Sequence, residues 1–468
     1  MSYLSLEFFS AFVLFLGLYW LFAFSPRLQN LLLIAASYGI VASFNIDGTH
    51  FEYILLAYTL AVYVVSHIIS RCRLKIINNM LVVVLVCSLL FVFKYYNFFL
   101  DVFQTALFNV GINPGLSPLS LLLPIGISFY SFHSASYLVS VKNKQIPPAP
   151  ILDLVLYLCF FPSIIAGPIN RATDFLAQIQ NPSLRCVLDV RRALLLIAVA
   201  IGKLLLLSSW LAINFANPVF SSPSLYSPGQ VLLGVYAYAF QIYFNFSGYT
   251  DLVTAMALLL GFRLPKNFDF PYLAQDLAEF WRRWHISLSS FIRDYVYIPL
   301  GGSRAGFFRT QFNLMLAMLL SGLWHGIGVN FIIWGGLNGL GLVFLNAWRN
   351  VFPGFGIFLK KFGLARIITF HYLCFTWVFF RSENLSDAFG MLESLSKLDF
   401  LALLQEDYAV LFVLVILFYP FLVAQAKRFA HALLSVHGVL YLVLVSIFIY
   451  IMIVFSPPGV PEFIYARF

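Results

Sequence analysis

Charge is scarce in this sequence. Only 10% of its 468 residues are Asp, Glu, Lys or Arg, against roughly 25% in an average soluble protein, and that deficit excludes water as the chain's main solvent. Cysteine is also sparse. Cys72, Cys87, Cys159, Cys186 and Cys374 lie far apart, with no spacing that suggests a zinc or redox site, so no metal is expected. No Gly-rich phosphate loop, His-Glu-x-x-His helix or Gly-x-Ser-x-Gly elbow occurs, leaving no serine nucleophile in a recognisable setting. Internal repeats, which would favour a transporter, are absent as well.

Apolar residues make up 61% of the chain, and 52 Phe and 25 Tyr suit lipid-facing surfaces and interfacial belts. A helix of about 20 apolar residues crosses a hydrocarbon layer about 30 Å thick. Expected spans are 4–24, 28–46, 51–70, 78–99, 119–141, 193–220, 230–261, 312–346, 365–381, 408–426 and 434–456. The first is read as a retained helix, since no basic leader or small-residue cleavage site accompanies it. The run 312–346 is too long for one untilted helix and contains Gly322, Gly326 and Gly328, so a break or hairpin is expected there. The stretch 151–169, interrupted by Pro162, Gly167 and Pro168, reads as a segment that dips in and returns, and 266–309 as interfacial or re-entrant.

The formal charge of +9 marks topology and attraction to anionic lipid rather than nucleic acid, because the basic residues sit in short loops and form no basic domain. Arg27, then Arg71, Arg73 and Lys75, then Lys142 and Lys144 alternate with loops holding Asp47 and Asp101. The positive-inside rule then puts the N-terminus outside. The loops 217–229, without Lys or Arg, and 382–407, rich in Glu and Asp, are expected to share that outer side.

Two stretches carry chemistry. In Glu279-Phe280-Trp281-Arg282-Arg283-Trp284-His285-Ile286-Ser287-Leu288-Ser289 the pairs Glu279/Arg283 and His285/Ser289 stand one helical turn apart. The sequence alone leaves open a surface helix whose arginines contact lipid phosphates. His325 stands inside Gly322-Leu323-Trp324-His325-Gly326-Ile327-Gly328, where glycines let the backbone unwind or a substrate approach closely. An imidazole takes and returns a proton near neutral pH; the bland alternative is a histidine bonded to a neighbouring carbonyl. His50, His67, His133, His371, His431 and His437 have no comparable setting and read as structural.

Together these residues resemble the membrane-bound O-acyltransferases, in the branch that acetylates alginate, peptidoglycan and cellulose. The resemblance runs from about Leu121 onward through Phe160-Phe161-Pro162, Ala166-Gly167-Pro168-Ile169, Asn245-Phe246-Ser247-Gly248-Tyr249-Thr250-Asp251 and Asn267-Phe268-Asp269-Phe270-Pro271-Tyr272. It is strongest at Glu279 to Ser289, Arg293-Asp294-Tyr295-Val296-Tyr297-Ile298-Pro299-Leu300-Gly301-Gly302 and Leu323-Trp324-His325-Gly326, and reaches Phe379-Phe380-Arg381 and the tail Phe463-Ile464-Tyr465. The chain departs from the family at Ser163, where Gln is usual, at Asn170, at Asn338, where a His-Gly pair often sits, and at Ala466-Arg467.

The resemblance implies an all-α polytopic membrane protein: a ring of about 11–12 transmembrane helices with re-entrant and interfacial helices around a central funnel, in one membrane domain with N-terminal helices over 1–120, a catalytic core over 121–346 and C-terminal helices over 365–468. It implies His325 as the catalytic histidine, His285 as the second functional position, and Trp324, Arg282, Arg283, Asp251, Tyr249 and Asn245 as substrate-binding residues. No bound cofactor is expected. Acetyl-CoA would be the donor substrate, a periplasmic or membrane-tethered esterase-like transferase the partner, a polysaccharide the acceptor, and the bacterial inner membrane the location. D-alanyl transfer to teichoic acid, transfer of a fatty acyl group and non-enzymatic transport are the rival readings.

Overall fold

The computed structural model describes residues 3–45, 48–113, 115–119, 122–165, 167–304 and 306–457. Asp47, Leu121, Ala166, the Phe463-Ile464-Tyr465 tail and Ala466-Arg467 lie outside them. Among the described residues the regular structure is helical throughout. The helices used below are α1 (Leu6–Leu21), α2 (Pro26–Ala42), α3 (Phe51–Arg71), α4 (Lys75–Asn109), α5 (Ile127–Lys142), α6 (Ile151–Cys159), α7 (Ala172–Ile179), α8 (Val190–Ser221) and α9 (Pro228–Leu259). They continue as α10 (Leu277–Arg283), α11 (Ile286–Ile292), α12 (Phe307–His325), α13 (Val329–Val351), α14 (Leu364–Arg381), α15 (Leu385–Ser396), α16 (Ala409–Ser435) and α17 (Gly438–Val454). Of these, α3, α4, α8, α13 and α16 are long and apolar enough to cross a membrane, while α1 and α17 are apolar but shorter. The all-α polytopic reading holds.

The chain divides into two compact units, one of residues 1–190 and 256–265, the other of 191–255 and 266–468. One boundary between them falls inside α9.

The first unit is built on helix ends fixed by local chemistry. Ser5 and Ser25 cap α1 and α2 by accepting from the backbone N–H of Phe8 and Leu28, and Pro26 opens α2 at a position where a missing N–H costs nothing. α5 begins at Ile127, not at 119, because Pro124 and Gly126 intervene. Gly126 takes φ +75°, and a Cβ there would stand 2.6 Å from the Ile164 carbonyl oxygen, so only glycine fits. α5 is polar inside: Ser131, His133, Ser134, Ser136 and Ser140 are buried, with Ser134 bonded to the Tyr58 hydroxyl at 2.6 Å and Tyr137 donating to Ser66 at 3.2 Å. In 151–169, α6 stops at Phe160 and a short turn of helix, Phe161–Ile164, follows. Every side chain from Leu154 to Ile164 is buried, which accounts for an apolar stretch too short to span.

The second unit packs around an aromatic core. α12 ends at His325, Gly326 to Gly328 turn the chain, and α13 returns, which is the hairpin expected of 312–346. Gly322 and Gly335 let the two backbones touch. The acidic stretch 382–407 is mostly helical rather than a loop: Asn384 caps α15 by accepting from Asp387 N–H, and Ala388 and Met391 face inward. Ser227 donates to Glu406, so 217–229 and 382–407 meet, and Arg381, just before the second stretch, donates to Asn217 in the first.

α8 contains π-helical turns at Gly202–Ser208 and Ala212–Ala216, a distortion that accompanies function or strain more often than plain packing. The first of them carries Lys203, whose Nζ lies 2.6 Å from Asp251 Oδ2 on α9. Neither partner is more than a quarter exposed. Removing one leaves an isolated charge, which costs much more than removing both. Accordingly, Lys203→Met and Asp251→Asn should each lower the melting temperature by several degrees, while Lys203→Met combined with Asp251→Leu should recover most of the loss; equal, additive losses would contradict this.

Candidate active site

His285 and His325 reach one site from different elements. His325 is the last residue of α12, 2% exposed, with ring centroids of Trp324, Trp334 and Phe380 at 4.7, 5.0 and 5.2 Å. Trp334 comes from α13 and Phe380 from α14, so three helices close the box around this imidazole. Gly326 allows it, because a Cβ there would fall 2.1 Å from the Phe331 ring, which itself packs on Phe380.

His285 joins α10 to α11 in a left-handed conformation, φ 42° and ψ 54°, one that a non-glycine residue adopts only when its surroundings hold it there. Those surroundings are supplied by Asn267. Its backbone oxygen accepts from Ile286 N–H at 2.9 Å, and its side-chain Oδ1 from Ser287 N–H at 3.3 Å and Ser287 Oγ at 2.9 Å. Oδ1 also lies 3.0 Å from His285 Nδ1.

That contact fixes the tautomer. A backbone N–H can only donate, so the Asn267 atom that meets Ser287 N–H must be oxygen, and His285 Nδ1 must carry its proton. The Nε2 lone pair is then the exposed chemistry of the ring, and Nε2 is buried with no protein hydrogen-bond partner. Burial pushes this imidazole down to about 3, so it is neutral at physiological pH. Trp324 ties the two histidines together, its ring centroid 6.1 Å from His285 and 4.7 Å from His325.

The other site residues read from the sequence fall into two groups. Asn245, Tyr249 and Asp251 all lie on α9, where Phe246 sets its ring edge against His285 at 4.7 Å. Asn245 and Tyr249 are buried, and Asp251 is paired with Lys203. Arg283 is held by Glu279 at 2.8 Å and Asp269 at 3.3 Å, which makes it a brace for the 266–285 region. Lys266 and Arg283 in turn hold the Asp269 carboxyl below its ordinary range, the Lys266 bond being the larger influence. Arg282, next to it, is exposed. Ser163 and Asn170 bond each other, Asn170 Nδ2 donating to Ser163 Oγ at 3.0 Å, while Asn170 N–H donates to His133 Nε2 at 3.1 Å. His371 meets the Tyr236 hydroxyl at 2.8 Å. Both histidines are engaged in bonds of this kind.

Three site residues escaped the sequence reading as such. Asn267 was visible only as part of a motif, Trp334 had no signal among so many aromatic residues, and Phe380 was quoted without a role.

A family model described as the membrane-bound O-acyltransferase family matches residues 55–383. The chain belongs to that family. It is 37% identical over 381 residues to the probable alginate O-acetylase AlgI of Pseudomonas syringae pv. tomato, covering 80% of this chain and 70% of that one. It is 34% identical over 339 residues to the peptidoglycan O-acetyltransferase of Helicobacter pylori, covering 67% and 63%. With the teichoic acid D-alanyltransferase of Streptococcus thermophilus the identity is 30% over 265 residues, covering 52% and 62%. The protein is therefore a multi-pass, membrane-bound acyltransferase, and the histidine-tryptophan site lies within the matched region.

Asn267 supports the site without touching any reacting atom. Asn267→Ala removes the acceptor for three groups, at a typical cost of about 1–3 kcal/mol for buried donors left unsatisfied. It should lower both the melting temperature and the transfer rate, whereas Asn267→Asp, which keeps the oxygen, should restore much of the rate. A variant with alanine that transfers normally would show that the His285 tautomer does not matter.

Proposed function

We propose that this enzyme moves an acetyl group from acetyl-CoA to a hydroxyl of an extracytoplasmic polysaccharide, directly or through a partner transferase. The observation that carries it is the pair of buried imidazoles joined by Trp324, set in a chain that shares more of its length and identity with O-acetylases than with D-alanyltransferases.

In the transfer, the acceptor hydroxyl attacks the thioester carbonyl carbon and forms a C–O bond while its proton passes to the imidazole of His325; the tetrahedral oxyanion then re-forms the carbonyl, the C–S bond breaks, and the proton is returned to the departing CoA thiolate. His285 offers Nε2 as a second acceptor for that proton or as the group that orients the hydroxyl. Trp281 and Trp334 carry buried indole N–H groups without a protein acceptor, the kind of donor a tetrahedral oxyanion needs. Because Trp324, Trp334 and Phe380 close over His325, substrates reach it when one of these rings swings away. Half-buried Trp324 is the ring placed to do so.

By the positive-inside rule the donor arrives from the cytoplasmic side of a bacterial inner membrane and the N-terminus lies outside. A ring of helices around a funnel is the architecture that would let donor and acceptor meet. Arg282, exposed beside the site, suits the CoA phosphates, and the acidic 382–407 region with 217–229 is the face for a periplasmic or membrane-tethered partner.

Purified protein in lipid vesicles, offered acetyl-CoA, a long-chain acyl-CoA and a D-alanyl carrier, tests the reading. Thiol release with acetyl-CoA, several-fold above either rival, is the expected outcome; preference for a long chain or for D-alanyl would assign a different donor.

A further inference from the structure

One end of the first unit holds a cavity, remote in sequence from both histidines, whose wall mixes apolar side chains such as Leu184 and Leu188 with polar ones. It measures about 330 Å³ and is lined by Gln178, Asn181, Ser183, Arg185, Cys186 and Arg263, among others, with no carboxylate in its wall. Arg185 is fixed there. Its Nη1 donates to Pro26 O at 3.3 Å, its Nη2 to Asn30 Oδ1 at 2.7 Å and Ile179 O at 3.4 Å, and its guanidinium lies 4.6 Å from the Phe262 ring centroid. All these partners are neutral, so the full charge remains. Arg263 is held by its backbone alone: N–H donates to Gln178 Oε1 at 2.8 Å and O accepts from Gln178 Nε2 at 3.1 Å. Its side chain is exposed.

The wall is packed tightly enough to keep its shape. Gly261, at φ +84°, brings its backbone so near that a Cβ would stand 3.0 Å from the Cys186 carbonyl oxygen.

This end of the unit also bears the marks of a membrane surface. Half-buried Trp20 donates its Nε1 to Leu259 O at 3.1 Å, an aromatic anchor of the kind found at headgroup level, and buried Tyr19 behind it donates to Leu260 O at 2.9 Å. Arg27 is exposed beside Pro26, the residue that Arg185 grips.

Two uncompensated guanidinium groups, amide and hydroxyl donors and an absent carboxylate are the chemistry of a phosphate site. The geometry points to a binding site for a phosphate ester here, filled by the headgroup of an anionic phospholipid. The volume, near the bottom of the range of about 300–1,000 Å³ for ligand pockets, suits a phosphate with a small polar substituent. The occupant braces α2, the 180–189 loop and the 256–265 segment against one another.

The test uses the full chain purified in detergent, with short-chain phosphatidylglycerol, phosphatidylcholine, CoA and inorganic phosphate as probes, and needs no acyl transfer, so it stands or falls apart from the proposed donor. In native mass spectrometry the wild type should retain phosphatidylglycerol over phosphatidylcholine by about tenfold, the worth of one charge-assisted bond. Arg263→Glu should abolish that preference and Arg263→Gln reduce it. Independently of any variant, phosphatidylglycerol should slow alkylation of the exposed Cys186, scored by peptide mass. If CoA or phosphate protects Cys186 and displaces the lipid, the phosphate site stands and its occupant is soluble. Equal retention of the two lipids with Cys186 alkylation indifferent to every probe, or a lipid preference untouched by Arg263→Glu, would overturn it.

Discussion

Exchange of His325 for alanine is expected to lower acetyl transfer by about 10²–10⁴, the usual worth of a positioned general base, while leaving insertion and folding intact. The ring packs against Trp324, Trp334 and Phe380, and this aromatic wall is braced independently of it: Trp334 stacks on Trp377 at 5.9 Å and touches Phe380 at 5.1 Å. A box built this way survives the loss of one wall. His325→Ala should therefore purify as a monodisperse protein with a melting temperature within a few degrees of the wild type, and its thiol release from acetyl-CoA should sink toward background. His285→Ala should differ, losing rate and stability together, because the side chain it removes satisfies Asn267 and holds a left-handed turn.

The second large effect comes from the α12–α13 crossing. A Cβ on Gly322 would lie 2.3 Å from the Phe331 carbonyl oxygen, and one on Gly335 would lie 2.5 Å from the Met318 carbonyl oxygen. These are backbone atoms, so no rotamer change relieves the collision. Gly322→Val must push the two helices apart, and His325 and Trp334 ride on them only a few residues away. Overpacking of a close core costs about 1–3 kcal/mol and often more; in a helix pair held by small residues and close contact there is little else to offset it. We expect Gly322→Val to be recovered poorly and to be inactive, and Gly322→Ala to be folded, with a lowered melting temperature and a reduced rate. Gly336 is the control. A Cβ there meets only Leu319 Cδ2 at 3.7 Å, an ordinary contact, so Gly336→Ala should match the wild type in melting and in transfer. If Gly322→Val melts with the wild type, the close crossing is not what holds the site.

Much of this was legible in the sequence where contrast exists. A histidine between glycines inside an apolar run stands out, and the same glycines announced the hairpin that closes at Gly326 to Gly328. The density of Arg, Trp and Glu around His285 marked a segment that neither spans a membrane nor dissolves in water, and it folds as two short helices with a paired Arg283. Features that depend on distance through space rather than along the chain stayed hidden. Asn267 and His285 are 18 residues apart, and nothing in either residue reveals that one amide oxygen would serve three donors. Trp334 packs on His325 across a turn, but 18% of this chain is aromatic, so one more tryptophan carries no signal. Hydropathy also overran real helix ends: 119–126 is apolar enough to extend a span, yet Pro124 and the left-handed Gly126 delay the helix to Ile127. The π-helical turn that carries Lys203 lies where that residue pairs with Asp251 and α9 approaches closely at Gly248, a setting that local propensity does not encode.

The electrostatics of the site follow from the same facts. His285 is neutral because burial opposes its charge and because its proton-bearing nitrogen is already spent on Asn267, so the pair of histidines divides the work unequally. One ring is locked in a known tautomer. The other, His325, sits where a helix ends and the chain turns, beside the ring of Trp324 that both share.

The most direct test offers labelled acetyl-CoA to one face of sealed vesicles containing the wild type or His325→Gln, whose amide can hydrogen-bond but cannot shuttle a proton. Free CoA on the donor side and labelled ester beyond the membrane should appear with the wild type and be reduced at least a hundredfold with His325→Gln, in line with the about 10²–10⁴ worth of a general base. Equal transfer by the two proteins, at equal amounts in the membrane, would contradict the assignment of proton transfer to His325.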